Sequence, residues 1–100
     1  MPKAYWIARL DVTDDASYAE YRKLNGIAFA KYGAKFLVRG EPAQNVIGTP
    51  RKHNVVIEFA SLDQARACYN SAEYQAAKVY LAKVGQTELV IVEGYDGPQP

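Results

Sequence analysis

Residues 35–59 read KFLVRGEPAQNVIGTPRKHNVVIEF, and the fold turns on this stretch. KFLVRG (35–40) and NVVIEF (54–59) have the β-branched and aromatic content of strands. The connection between them, 41–53, carries two prolines and a glycine, which marks it as a long turn-rich loop. Two strands therefore follow one another in the middle of the chain, and what flanks them decides the architecture.

Upstream, AYWIARLDV (4–12) reads as a strand. Thr13-Asp14-Asp15 then supplies capping oxygens for a helix to about Lys31, whose acidic start suits the helix dipole. Tyr18, Tyr21, Leu24 or Asn25, Ala28 and Tyr32 recur at three- and four-residue steps as one amphipathic stripe, and Tyr32-Gly33 fits a glycine terminator. Downstream, Ser61-Leu-Asp-Gln64 is a capping-box pattern opening a short helix to about Tyr69. Asn70-Ser71 breaks it, Ser71 caps a second segment AEYQAAKVYLAKV, and ELVIVEG (88–94) is the last strand. The order β-α-β-β-α-β predicts an α+β, ferredoxin-like domain over residues 1–95. Four antiparallel strands are ordered 4-1-3-2, two right-handed crossovers put both helical regions on one face, and residues 96–100 form a flexible tail.

One hundred residues fit one domain, and 49% hydrophobic content with twelve aromatics argues against disorder. A net charge of +1 gives no basic stripe for nucleic acid, and Arg51-Lys52-His53 is short enough to be a solvated loop. Cys68 is the single cysteine, which excludes an intramolecular disulfide and a multi-cysteine metal site and permits a reducing compartment. No apolar run approaches the length of a membrane helix, and MPKAYWIARLDV lacks the pattern of a secretory leader. The expectation is a cytoplasmic protein with no cofactor, no metal, and neither nucleic acid nor membrane as partner.

Strand parity sorts side chains to two faces. Trp6, Ala8, Leu10, Phe36, Val38, Val55, Ile57, Phe59, Val90 and Val92 form an apolar set suited to lie under the helices. Tyr5, Ile7, Arg9, Lys35, Leu37, Arg39, Asn54, Val56, Glu58, Leu89, Ile91 and Glu93 form a mixed set for the uncovered face. That face holds large apolar groups and one central charge per strand, a pattern that a second copy packed sheet to sheet would satisfy. Reading the first and third strands as parallel neighbours brings Arg9 beside Glu58. Arg39 and Glu93 then fall at opposite edges, too far apart to pair within one chain.

The segments AYWIARLDVTD, YAEY, KYGAKFLVRG, NVVIEFASLDQARACYNSAEYQAA and ELVIVEG, covering about residues 4 to 94, resemble the DUF1330 family. The resemblance rests on YWIAR, FLVRG, VVIEF, S-x-EYQ and VEG in combination. It departs at Glu41, where the family has a second glycine, near Tyr80, where it commonly has arginine, and at Ile47, where it tends to be acidic. The resemblance implies small homodimeric α/β-barrel proteins of unknown function and brings no catalytic residue with it.

Two functions stay open. One is a homodimer that binds a small molecule or plays an accessory role. The other, by analogy of fold with small dimeric α/β-barrel monooxygenases and isomerases, is a cofactor-independent monooxygenase- or isomerase-like enzyme acting on a small aromatic or lactone-like substrate. Arg9, Arg39, Glu58, Glu93 and Tyr5 are candidates for a polar cluster serving a ligand or the interface. Arg39 suits anion recognition or a bridge to a partner's glutamate. His53 is the default acid–base group by its intrinsic pKa, with an exposed loop histidine as the alternative. Cys68 among small residues suggests a buried, inert thiol.

Overall fold

A computed structural model describes residues 2–40 and 42–100; Met1 and Glu41, which fall within the expected domain, lie outside the described residues. The elements are β1 (Ala4–Leu10), α1 (Asp15–Lys31), β2 (Lys35–Arg39), β3 (His53–Phe59), α2 (Leu62–Asn70), α3 (Ala72–Val84) and β4 (Thr87–Glu93). The sheet order β2-β3-β1-β4 is the expected 4-1-3-2 seen from the other side. All three pairings are antiparallel, as the ferredoxin-like unit requires. Among the described residues no helix is long and apolar enough to cross a membrane.

Local chemistry sets the helix limits. Asp14 accepts from the Ser17 backbone N–H at 3.1 Å and caps α1, and Gly33, with φ of 69°, ends it in the left-handed region. Ser61 Oγ accepts from Gln64 N–H at 3.1 Å, but the Gln64 amide donates to the Tyr32 carbonyl at 3.2 Å instead of reaching back. Half of the capping box is thus spent on tying α2 to the end of α1. Ser71, 7% exposed, donates to the Cys68 carbonyl at 2.6 Å and accepts from Tyr74 N–H at 3.1 Å, so one hydroxyl closes α2 and opens α3. The break expected at Asn70-Ser71 is there.

The helices bury one face of the sheet. Trp6 is at the centre, 1% exposed, with Phe29, Phe59, Tyr69 and Tyr74 rings at 4.8 to 5.9 Å, mostly edge-on. Its indole N–H donates to the Ala65 carbonyl at 3.0 Å, which satisfies the one polar atom of a large apolar residue. Cys68 is fully buried beside this cluster. Burial pushes its thiol up to about 12, so it is protonated at neutral pH and inert.

Three parity readings are corrected. β1 and β3 run antiparallel, so Arg9 faces Asn54 and Tyr5 faces Glu58, and the expected Arg9–Glu58 neighbourhood does not form. In β4 the pairings Trp6↔Ile91 and Ala8↔Leu89 put Leu89, Ile91 and Glu93 on the helix side, leaving Val90 and Val92 on the open side. In β2 the register slips between Phe36 and Val38: Phe36 pairs with Ile57, Val38 with Val56 and Arg39 with Val55. Two residues, Leu37 and Val38, occupy the place of one, a β-bulge that inverts the parity of everything after it. Arg39 therefore shares the face of Val55 and Ile57, beneath the helices, not the open face.

Candidate functional site

The bulge puts Arg39 at the mouth of a narrow cleft of about 60 Å³ between α1 and the sheet. Its walls are apolar and largely aromatic: Trp6, Ala8 and Leu10 from β1, Phe36 from β2, Val55 and Ile57 from β3, Phe29 from α1, Leu81 from α3 and Leu89 from β4. Tyr18, Tyr21, Arg22 and Asn25 descend from α1 onto it. A wider, more open antechamber of about 470 Å³ adjoins it, lined by Tyr18, Arg22, Arg39, Gly40, His53 and Val55.

His53 pairs with Leu10 in register and so shares the helix-facing side of β3, where its ring lies 5.5 Å from that of Tyr18. It is half-buried at the cleft mouth, not a free loop side chain. The Arg39 guanidinium carbon lies 4.5 Å over the Phe36 ring, and that of Arg22 lies 5.8 Å over Tyr18. Tyr18, Arg22, Arg39 and His53 thus converge on one opening from two elements of the sheet and one helix. Deeper in, the Tyr21 and Tyr74 hydroxyls meet at 2.8 Å, and burial holds both phenols above their ordinary range. They are neutral hydrogen-bonding groups.

Arg22 was missed in the sequence reading, although a signal for it exists. Tyr18, Arg22, Asn25 and Phe29 are spaced i, i+4, i+7 and i+11, one stripe of a helix, and a charge on an otherwise inward stripe is a site signature.

The other candidates lie elsewhere. Arg9 is on the open face, where it donates to Asn54 Oδ1 at 3.1 Å, to the Thr49 carbonyl at 2.9 Å and to Asn45 Oδ1 at 3.4 Å, with Glu88 at 4.0 Å. These bonds pin the loop after β2. Glu58 and Tyr5 are opposite one another at the far end of the same face, and Glu58 bridges to Lys3 at 3.4 Å. Glu93 pairs in register with Ala4 at the rim of the helix-side parity. The five residues Arg9, Arg39, Glu58, Glu93 and Tyr5 are therefore not brought together. Arg51, read as solvated, is instead clasped by Asp11 at 3.0 Å and Glu88 at 3.3 Å.

Among the described residues no group of three or more His, Cys, Asp or Glu side chains is arranged to hold a metal ion. What the cleft offers is an apolar slot with two guanidinium groups, a phenol and an imidazole at its entrance. That arrangement can hold an anionic head group and can move a proton beside it.

The model of the domain of unknown function DUF1330 matches residues 3–95. No curated protein matches the chain. Solved structures share the fold, three of them as follows. A protein of unknown function from Rhodopseudomonas palustris, RPA0582, is 15% identical, with a TM-score of 0.72 over 96% of this chain and 85% of that one. A dimeric protein of unknown function and ferredoxin-like fold from Bacteroides fragilis is 16% identical, with a TM-score of 0.60 over 92% of this chain and 96% of that one. SnoaB, a cofactor-independent oxygenase from Streptomyces nogalater, is 12% identical, with a TM-score of 0.61 over 100% of this chain and 97% of that one.

Proposed function

The chain belongs to the DUF1330 family, whose function is unknown, and from its own cleft we propose that it is a homodimer that binds a small molecule between α1 and the sheet. The observation that carries this reading is the convergence of Tyr18, Arg22, Arg39 and His53 on the mouth of an aromatic-lined slot. Apolar walls with a few converging polar groups are the usual make-up of a small-molecule site. Support for the dimer comes from the other face of the sheet, where Ile7 is 37%, Val90 52% and Val92 41% exposed on the neighbouring strands β1 and β4. A second copy packed face to face removes that patch from water.

The test is a thermal-shift screen of a metabolite library on the wild type and Arg39→Ala. Compounds that raise the wild-type melting temperature by several degrees and the variant's by much less are expected. A library that shifts neither protein sinks the binding reading.

The Tyr18–His53 contact supports a second reading, that of a cofactor-independent monooxygenase- or isomerase-like enzyme acting on a small aromatic or lactone-like substrate. Here His53 takes a proton from the bound molecule while Arg39 or Arg22 steadies the negative charge that develops. For each compound found in the screen, product formation and oxygen uptake are then measured with the wild type and His53→Gln. Turnover that survives in His53→Gln removes this reading, whereas retained binding without turnover supports it.

A further inference from the structure

We propose that the occupant of the cleft is a flat apolar carboxylate with a second hydrogen-bonding group at its far end, its head held by Arg22 and Arg39 and its tail met by Thr87. This rests on the binding reading above and names the ligand class for the same site.

Charge is the first argument. Arg9 and Arg51 have carboxylates beside them, but among the described residues neither Arg22 nor Arg39 does. Two guanidinium groups at one opening, with no carboxylate beside them among the described residues, repel each other, and an anion between them turns repulsion into charge-assisted hydrogen bonds. Stacking adds geometry. Arg39 lies 4.5 Å over the Phe36 ring and Arg22 5.8 Å over that of Tyr18, so an aromatic ring backs each guanidinium group. The N–H edges stay available, and an N–H edge in a fixed plane matches the two coplanar oxygens of a carboxylate.

The far end supplies the second argument. Thr87 Oγ1 is buried, lines the cleft and has no hydrogen-bond partner among the described residues. A buried hydroxyl without a partner is costly, and a ligand group that bonds to it recovers that cost. Arg39 is on β2 and Thr87 on β4, the two edges of the sheet. Three strand spacings, about 14 Å, separate them, and the long arginine side chain spans part of this. A conjugated ring system bearing a short carboxylate arm can span the rest, with its carboxylate in the antechamber of about 470 Å³ where Arg22 and Arg39 stand.

The test uses para-hydroxycinnamate, its carboxamide, and cinnamate, titrated into the intact protein and followed by quenching of Trp6, the single tryptophan, which lines the cleft. The carboxylate is expected to bind about tenfold or more tighter than the carboxamide. That preference should vanish in Arg39→Gln and shrink in Arg22→Gln. The advantage of the para-hydroxyl over plain cinnamate should vanish in Thr87→Val, which keeps the side-chain shape. Equal binding of carboxylate and carboxamide, or a preference that survives both arginine variants, overturns the carboxylate class and leaves the cleft reading standing. No binding by any of the three overturns the class as well, and the metabolite screen then decides the cleft independently. Binding unaffected by Ala8→Phe, which fills the slot, overturns the cleft itself.

Discussion

At the residue scale, Asp11 and Arg51 show how much a short loop segment can carry. The Asp11 carboxylate accepts the Lys52 backbone N–H at 2.9 Å and an Arg51 guanidinium N–H at 3.0 Å, and these bonds hold its pKa below the ordinary 3.8. A carboxyl whose pKa is depressed on folding stabilises the protein above its unfolded value, and the contribution is lost as pH falls through the folded value. Asp11→Asn is therefore expected to lower the melting temperature at neutral pH. The difference from wild type should close as pH falls through the lowered Asp11 value. A gap that is constant across that range removes the clasp as an electrostatic contact. Gly85 next door has a steric role. Its φ is 149°, and a Cβ there would collide with the Asp11 carbonyl oxygen. Gly85→Ala is expected to cost about 3 kcal/mol in urea unfolding, because the contact is with backbone that has no easy way to move.

The helix joint and the bulge carry the argument at the scale of elements. Ser71 serves two helices with one buried hydroxyl, so Ser71→Ala removes a cap and leaves the Cys68 carbonyl with only the longer bond from the residue 71 backbone N–H at 3.2 Å. A loss of about 1–2 kcal/mol in chemical denaturation is expected. This joint was readable in the sequence, because Asn-Ser after a helical stretch and before another has local chemistry that few structures satisfy otherwise. The bulge was not readable. KFLVR holds three apolar residues in a row, and nothing in its composition says that Leu37 and Val38 share one partner; the slip exists only in the pairing with Val56. Its consequence is large, since it carries Arg39 from the open face to the cleft mouth. Deleting Leu37 removes the extra residue while Val38 stays opposite Val56 and Arg39 opposite Val55, so Arg39 is expected to keep the cleft side in a regular strand. Circular dichroism is expected to keep its native shape with carboxylate binding retained, and lost binding would show that this register does not place Arg39.

At the scale of the whole molecule, the two faces of the sheet divide the work. The helix side holds the core around Trp6 and the cleft at its edge, and the open side has an apolar centre between two charged ends. Arg9 and Glu88 occupy one end of the open side, and Lys3, Lys35 and Glu58 the other. Val90→Glu puts a charge into that apolar centre. The variant is expected to elute as a monomer at micromolar concentration in light scattering while the cleft still binds its ligand, and a wild-type monomer would remove the dimer from the account.

Local patterns in the chain determined the elements, their order, the 4-1-3-2 arrangement of the strands and the presence of a second, uncovered face. Hydrophobic period, capping residues and turn composition are short-range properties, and each is written in a few adjacent residues. His53 and Arg39 were recognisable as chemically apt by residue type alone. Their meeting with Tyr18 and Arg22 was decided by tertiary structure, through strand direction, the parity of β4 and one slipped residue in β2. Register is a relation between segments that are distant in sequence, and a single-residue shift reverses which face a side chain takes. The identity of the residues came from the sequence, and the side of the sheet on which they act came from the pairing.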